Sequence, residues 1–229
     1  LVTPSREFAG TFKVPGDKSI SHRAVMFAAI AEGESRIQGF LEGEDCLATL
    51  NAFAAMGVQS QRLDNGDVLV QGVGKHGLKA PADDLDIGNS GTSIRLLTGL
   101  LAGQAFASCL RGDHSLMTRP MRRVCDPLGL MGADVVTAES GTPPVEVRPV
   151  TQLQAIEYEL PVASAQVKSA ILLAGLYAQG ETTVIEPKAT RDHTERMLQA
   201  FGHPIQKQGN RISVSGGHSW QGRTLQVPA

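Results

Sequence analysis

The chain has 229 residues, enough for one large domain or two small ones with a core that needs no staples. Its 21 Lys and Arg stand against 23 Asp and Glu, so the net charge of −2 offers none of the basic surplus that a nucleic-acid partner requires. No apolar run approaches the roughly 18–20 residues that span a bilayer, residues 1–13 carry no secretory pattern, and Cys46, Cys109 and Cys125 lack CxxC spacing, which fits a reducing, cytoplasmic setting rather than a disulfide framework or thiolate metal site.

The first informative stretch runs from SISHRAVMFAAIAEGESRIQGF to NAFAAMGVQ. It reads as a helix that is apolar almost all round (AVMFAAIA), a strand (SRIQGF), a more amphipathic helix over residues 45–56, and two short strands about a turn at Asp64-Asn65-Gly66. The same order returns from NSGTSIRLLTGLLAGQAFASCL to CDPLGLMGADV, with IRLLTGLLAG as the apolar helix, AFASCL as the strand, residues 120–131 as the second helix and a turn at Glu139-Ser140-Gly141. It returns again from SAQVKSAILLAGLYAQGETTVIE to MLQAFGHPI, with AILLAGLYA, TTVIE, residues 192–201 and a turn at Gln208-Gly209-Asn210. Glycines expected to end the first helices fall at Gly33, Gly103 and Gly180, about 70 and 77 residues apart. Those after the second helices fall at Gly57, Gly132 and Gly202, about 75 and 70 apart. A helix apolar on every side is a buried helix, so the expected α/β domain has three repeated units, helices inside and mixed sheets outside. The repeat domain is expected over residues 15–225, with Val14-Pro15 ahead of it and Val227-Pro228 behind.

Three helix N-termini from three equivalent places are expected to converge. They carry Pro15-Gly16-Asp17-Lys18-Ser19, Gly88-Asn89-Ser90-Gly91-Thr92 and Ala163-Ser164-Ala165-Gln166, all small or hydrogen-bonding residues. A helix start offers unpaired N–H donors and partial positive charge, which suit phosphate or carboxylate. A cation follows four residues after each small residue: Ser19 to Arg23, Gly91 to Arg95, Ser164 to Lys168. For any one tip, ordinary capping explains the residues as well; three with matched cations favour a site for several anions. Arg119, just before Pro120 at the expected start of a second helix, opposes the helix dipole unless it serves an anion. Arg191 stands at the matching place in the third unit, where a surface salt bridge with Asp192 or Glu195 and service to an anion fit the sequence equally.

Other patterns fail their context. Gly72-Val73-Gly74-Lys75-His76-Gly77 matches GxGxxG, but Pro81 and two Asp follow where a helix should. Gly16-Asp17-Lys18-Ser19 lacks the upstream spacing of a phosphate loop. The six His form no metal-ligand spacing, and His22 and His193 read as surface or cap-adjacent residues. The cysteines read as small core residues, Cys109 most clearly.

VPGDKSISHRA, GNSGTSIRLL, LMTRPM, SAQVKSAILLAGL and TRDHTERM together resemble the enolpyruvyl transferase family, and in detail its shikimate-using branch. The resemblance covers essentially the whole chain. It implies the N-terminal half of a two-domain enzyme, with residues 1–14 in the other domain or its hinge and residues 226–229 starting a second crossover. It implies transfer of the enolpyruvyl group from phosphoenolpyruvate to shikimate 3-phosphate with release of phosphate, a step of aromatic amino-acid biosynthesis, without metal or cofactor. By motif, Lys18 contacts phosphoenolpyruvate and moves protons. Ser19 and Arg23 hold shikimate 3-phosphate with Lys18, and Ser164, Ala165, Gln166 and Arg191 line its pocket. Asn89, Gly91, Arg119 and Gln166 lie against phosphoenolpyruvate, and Gly91 leaves room for glyphosate. The family's acidic proton-transfer residues and further arginines lie in the C-terminal half, so these residues alone are expected to bind shikimate 3-phosphate weakly and to be inactive without the complementary domain. The alternatives are the branch that uses UDP-N-acetylglucosamine, whose reactive loop cysteine has no counterpart in Cys109 or Cys125, and a non-enzymatic anion-binding module; neither nucleic acid nor membrane is an expected partner.

Overall fold

The computed structural model describes residues 9–11 and 14–229, so the segment expected at 1–14 falls almost wholly outside the described residues. The three inner helices are α1 (Lys18–Ala29), α3 (Gly91–Leu101) and α5 (Ala165–Gly175), each buried along nearly its whole length. The more amphipathic helices are α2 (Glu44–Ala55), α4 (Arg122–Leu130) and α6 (His193–Ala200). Strands β1 (Glu32–Gln38), β2 (Gln59–Arg62) and β3 (Val68–Val73) belong to the first unit. The second has β4 (Leu85–Asp86), β5 (Ser108–Arg111), β6 (Asp134–Thr137) and β7 (Val145–Arg148), and the third β8 (Glu157–Glu159), β9 (Glu181–Ile185), β10 (Ile205–Gln208) and β11 (Arg211–Ser215).

With β12 (Thr224–Gln226), each unit's sheet has four strands and one pattern: β12-β1-β3-β2, β4-β5-β7-β6 and β8-β9-β11-β10. In the second and third, a short parallel strand precedes the inner helix, so β4-α3-β5 and β8-α5-β9 are βαβ crossovers. The first unit takes its parallel edge from the far end of the chain, where β12 (Thr224–Gln226) pairs with β1. Residues 224–226 therefore complete the sheet of the first unit.

Gly57, Gly132 and Gly202 all have φ near +80°, the left-handed position that ends a helix. The other glycine set does not share one role. Gly33 already lies in β1, and Gly180 directly precedes β9. Gly103 keeps an ordinary φ and is glycine because the ring of Tyr177 fills the space of a side chain. The expected helix start at Pro120 is also corrected, since α4 begins at Arg122 with Met121 as its cap. Cys46, not Cys109, is the buried cysteine.

Close approach is written into the inner helices. A β-carbon on Gly99 of α3 would lie well under 3.0 Å from the backbone oxygen of Ala170 on α5. The tips are fastened by polar groups. His22, fully buried rather than superficial, sets Nδ1 2.8 Å from Thr49 Oγ1 and 3.0 Å from Ser93 Oγ, and Nε2 3.2 Å from Ser90 Oγ. One imidazole thus joins α1, α2 and the cap of α3, and burial pushes its pKa down to about 4, so the ring is neutral. Lys168, expected on the anion-facing side of α5, is instead fully buried, with Nζ 2.6 Å from Glu195 Oε1 and 3.1 Å from Glu186 Oε1.

Two outcomes are expected. Gly99→Val should cost about 3 kcal/mol or more in urea unfolding, because backbone rather than a movable side chain blocks the new atoms; a loss within about 0.5 kcal/mol would contradict the close contact. Because folded His22 refuses a proton that the unfolded chain accepts near pH 6.5, stability should fall as pH drops from 6.5 toward 4. His203, also held near 4 by burial, adds to the slope. Unfolding midpoints measured across that window should decline less steeply in His22→Gln, by up to about 1.4 kcal/mol per pH unit; equal slopes would show that His22 is not the responsible group.

Candidate anion-binding site

Each inner helix is capped by the residue before it. Asp17 Oδ1 accepts from the N–H of Ile20 (2.8 Å), Ser90 Oγ from Ser93 (3.1 Å) and Ser164 Oγ from Val167 (3.3 Å). Each cap occupies one first-turn donor and leaves others unclaimed by the helix itself.

The tips meet. Gln166 at the start of α5 donates through Nε2 to Thr92 Oγ1 on α3 (3.1 Å), and its Oε1 accepts from Arg95 Nη1 (3.1 Å). Arg23 on α1 donates from Nε to Thr194 Oγ1 (2.7 Å), from Nη1 to the Ser19 carbonyl (2.9 Å) and from Nη2 to Ser169 Oγ (2.8 Å), which ties α1 to α5 and α6. The His22 contacts complete the α1–α3 side. Ser19, Gly91 and Ser164 therefore lie at one end of the helix cluster, as the sequence spacing predicts.

The cations divide into two kinds. Arg23 is only 3% exposed, and burial lowers its pKa to about 10, which still leaves it charged near neutrality. Arg95 is also lowered by burial and by Arg119 and Arg123, and it bonds the Gly91 carbonyl (2.9 Å), Gln166 and the Pro120 carbonyl (3.3 Å). Both fasten the frame. Lys18, Arg119 and Arg191 keep more freedom. Lys18 is half exposed and pairs with Asp45 at the start of α2. Arg119 follows a 3₁₀ turn (Leu116–Thr118) instead of opening a helix, and its Nη2 meets Asn89 Oδ1. Asn89 is oriented in turn by Asp113, whose Oδ2 accepts from its Nδ2 at 2.7 Å. A β-carbon on Gly91 would stand 2.6 Å from Arg119 Nη1 and 2.8 Å from Arg95 Nη1, so glycine here leaves space for two guanidinium groups.

Arg191 makes no pair with its sequence neighbours. Asp192 takes Arg196, Glu195 takes Lys168, and exposed Arg191 reaches Ser19 Oγ at 3.3 Å. A pocket of about 450 Å³ opens beside it, lined by Ala163, Ser164, Ala165, Gln166, Thr190 and Arg191. It is built from a helix start, a hydroxyl, an amide and a cation, a set suited to an oxyanion. Among the described residues no cluster of three or more metal-ligating side chains occurs, and no helix is long and apolar enough to cross a membrane. Sequence reading missed the anchors: Asp17 as cap, Asp45 for Lys18, Asp113 for Asn89, and buried His22. The signal for His22 was its place one turn into an apolar helix, where a polar ring needs partners.

The profile of the family described as EPSP synthase (3-phosphoshikimate 1-carboxyvinyltransferase) matches residues 2–229. The 3-phosphoshikimate 1-carboxyvinyltransferase of Alkalilimnicola ehrlichii is 60% identical over 228 residues, covering 100% of this chain and 51% of that protein. That of Methylococcus capsulatus is 55% identical over 226 residues, covering 99% and 52%. The solved EPSP synthase from Acinetobacter baumannii superposes with a TM-score of 0.92 at 60% identity, over 96% of this chain and 50% of that one. The chain spans about half the length of the relatives it matches. With the fold, the motifs and the family profile agreeing along the chain, it belongs to the EPSP synthase family.

Proposed function

We propose that this chain forms the shikimate 3-phosphate-holding lobe of a cytoplasmic enzyme that transfers the enolpyruvyl group of phosphoenolpyruvate to that substrate. The observation that carries the reading is the meeting of three helix starts at one place, beside Lys18, Arg119 and Arg191. Both substrates are multiply charged anions, and both need several fixed donors whose positions do not relax as charge moves.

In this reading the pocket between Ser164 and Arg191 takes the shikimate phosphate. Ser164 Oγ, the N–H groups of Ala165 and Gln166, Ser19 Oγ and Arg191 supply donors, while Arg23 supports them from below. Phosphoenolpyruvate lies toward Gly91, with Arg119 on its carboxylate or phosphate and Asn89 fixing that arginine. Lys18, released from Asp45, stands between the two substrates where a proton can be passed. The proton-transfer carboxylates and further cations that the family resemblance implies belong to the other half of the enzyme. Two structural facts support an exit toward that half at one seam: the backbone N–H of Asp17 donates to the Pro228 carbonyl (2.8 Å), and Gly16 packs on Gly39 with no room for a side chain.

Calorimetric titration of the 229-residue chain with shikimate 3-phosphate should give saturable one-site binding. Arg191→Ala and Ser164→Ala should each weaken it about tenfold or more, the worth of one charge-assisted hydrogen bond. Equal binding of inorganic phosphate and shikimate 3-phosphate would favour the unselective anion module. Steady turnover of both substrates by these residues alone would refute the need for the complementary half. Gly91→Ala should leave stability nearly unchanged, because the new methyl meets only the ends of flexible side chains. In the full-length enzyme it should raise the KM for phosphoenolpyruvate about tenfold while shikimate 3-phosphate affinity holds; an unchanged KM would remove Arg119 from that subsite.

A further inference from the structure

His193, dismissed in the sequence as a cap neighbour, opens α6 two residues after Arg191. Its Nδ1 is buried and has no hydrogen-bond partner among the described residues. It stands 4.0 Å from Asp17 Oδ1, too far for a hydrogen bond and close enough to form one after a small rotation. A buried ring nitrogen left without a partner carries a desolvation cost, and the obvious partner is already beside it.

The surrounding charges come from two elements. From the start of α1, Asp17 and Arg23 face the ring; from the loop entering α6, Arg191 and Asp192 do. Glu195 on the ring's own helix is committed to Lys168, and Asp192 to Arg196. In the empty site, burial and the two arginines hold the ring neutral, lowering its pKa against the pull of the two aspartates. Arg191 is also the cation that reaches Ser19 at the mouth of the phosphate pocket. An anion seated there offsets the arginine field, which together with the larger effect of burial disfavours a proton on His193.

We propose that His193 is the proton acceptor of the phosphate pocket, a positioning residue that is neutral when the pocket is empty and takes a proton from solvent when a phosphate dianion binds, closing its Nδ1–H onto Asp17. The inference rests on the functional reading above, which puts the anion beside Arg191. No covalent bond changes; one proton moves from buffer to imidazole. Its consequence is structural as well as electrostatic. Asp17 caps α1 through the same Oδ1, so the new pair stiffens the tip that carries Lys18 and Ser19 when substrate arrives.

Proton linkage gives the sign. A group that holds its proton more firmly in the bound state makes binding tighten as pH falls. The ligand's own phosphate, with a second pKa near 6, releases protons in a cationic pocket and works the other way. The two are separated by a variant.

Titration of the chain with shikimate 3-phosphate at pH 6.5, in two buffers of different ionisation enthalpy, counts protons exchanged on binding. The chain should take up more protons per ligand than His193→Gln. Asp17→Asn, which keeps a good helix cap but removes the carboxylate charge, should also reduce the uptake. Between pH 7.5 and 6 the affinity of the chain relative to His193→Gln should rise severalfold. Binding with identical proton counts in the chain and His193→Gln overturns this proposal and leaves the functional reading intact. Absence of any saturable heat with shikimate 3-phosphate in the chain overturns both.

Discussion

Where α3 crosses α5 there is no room for a single extra carbon. Gly99 touches the backbone of Ala170, and the fold turns on that contact. Three buried helices that share one interior cannot each choose a direction. Once two of them approach backbone to backbone, their starts are brought to the same end, and α1 is tied to the same end by Arg23 bonded to Ser169 and His22 bonded to Ser90. The meeting of the helix starts is a by-product of packing small residues tightly. Helix starts that would each be weakly polar alone become neighbours, and their fields add.

Neighbouring helix starts repel, and so do the cations beside them. The structure answers with fixed polar cross-links instead of apolar filling. Neutral His22 holds α1, α2 and the α3 cap without adding charge. Arg23 and Arg95 direct their guanidinium groups into hydroxyls, carbonyls and an amide, so their charge lies under the site while their geometry is taken up. Lys168 places one ammonium between two buried carboxylates, Glu186 and Glu195. Glu186 also accepts from Thr190, the neighbour of Arg191, which fixes the root of an arginine that reaches across to α1. A buried ionic cluster of this kind enforces position more than it adds net stability.

The repeat, the buried helices and the meeting of their tips could be read from the sequence because they depend on period and polarity, which a chain displays directly. Gly57, Gly132 and Gly202 were readable for the same reason: a left-handed helix end needs glycine wherever it occurs. What could not be read depends on where one side chain finds another. Lys168 and Arg23 occupy matched places in sequence, yet one pairs with two glutamates from α6 and the end of β9 while the other bonds hydroxyls. Arg191 had acidic neighbours available in sequence, but Asp192 and Glu195 were claimed by Arg196 and Lys168 in space. The fourth strand of the first sheet was hidden for a topological reason: it comes from residues 224–226, nearly two hundred residues after the strand it pairs with.

That late strand ties the site to the end of the chain. The segment from Trp220 onward runs beside β1: Glu32 N bonds Trp220 O (2.8 Å), Val227 N bonds Gln38 O (2.9 Å), and Pro228 O then receives the N–H of Asp17. Asp17 is consequently held by its backbone to the chain end, by its carboxylate to the first turn of α1, and stands beside His193 at the head of α6. Lys18 and Ser19 follow it directly. A shift of residues 226–228 relative to β1 would reach Lys18 and Ser19 through one peptide group, without passing through the core. Strand pairing at one edge and the capping of α1 therefore constrain the same residue, Asp17.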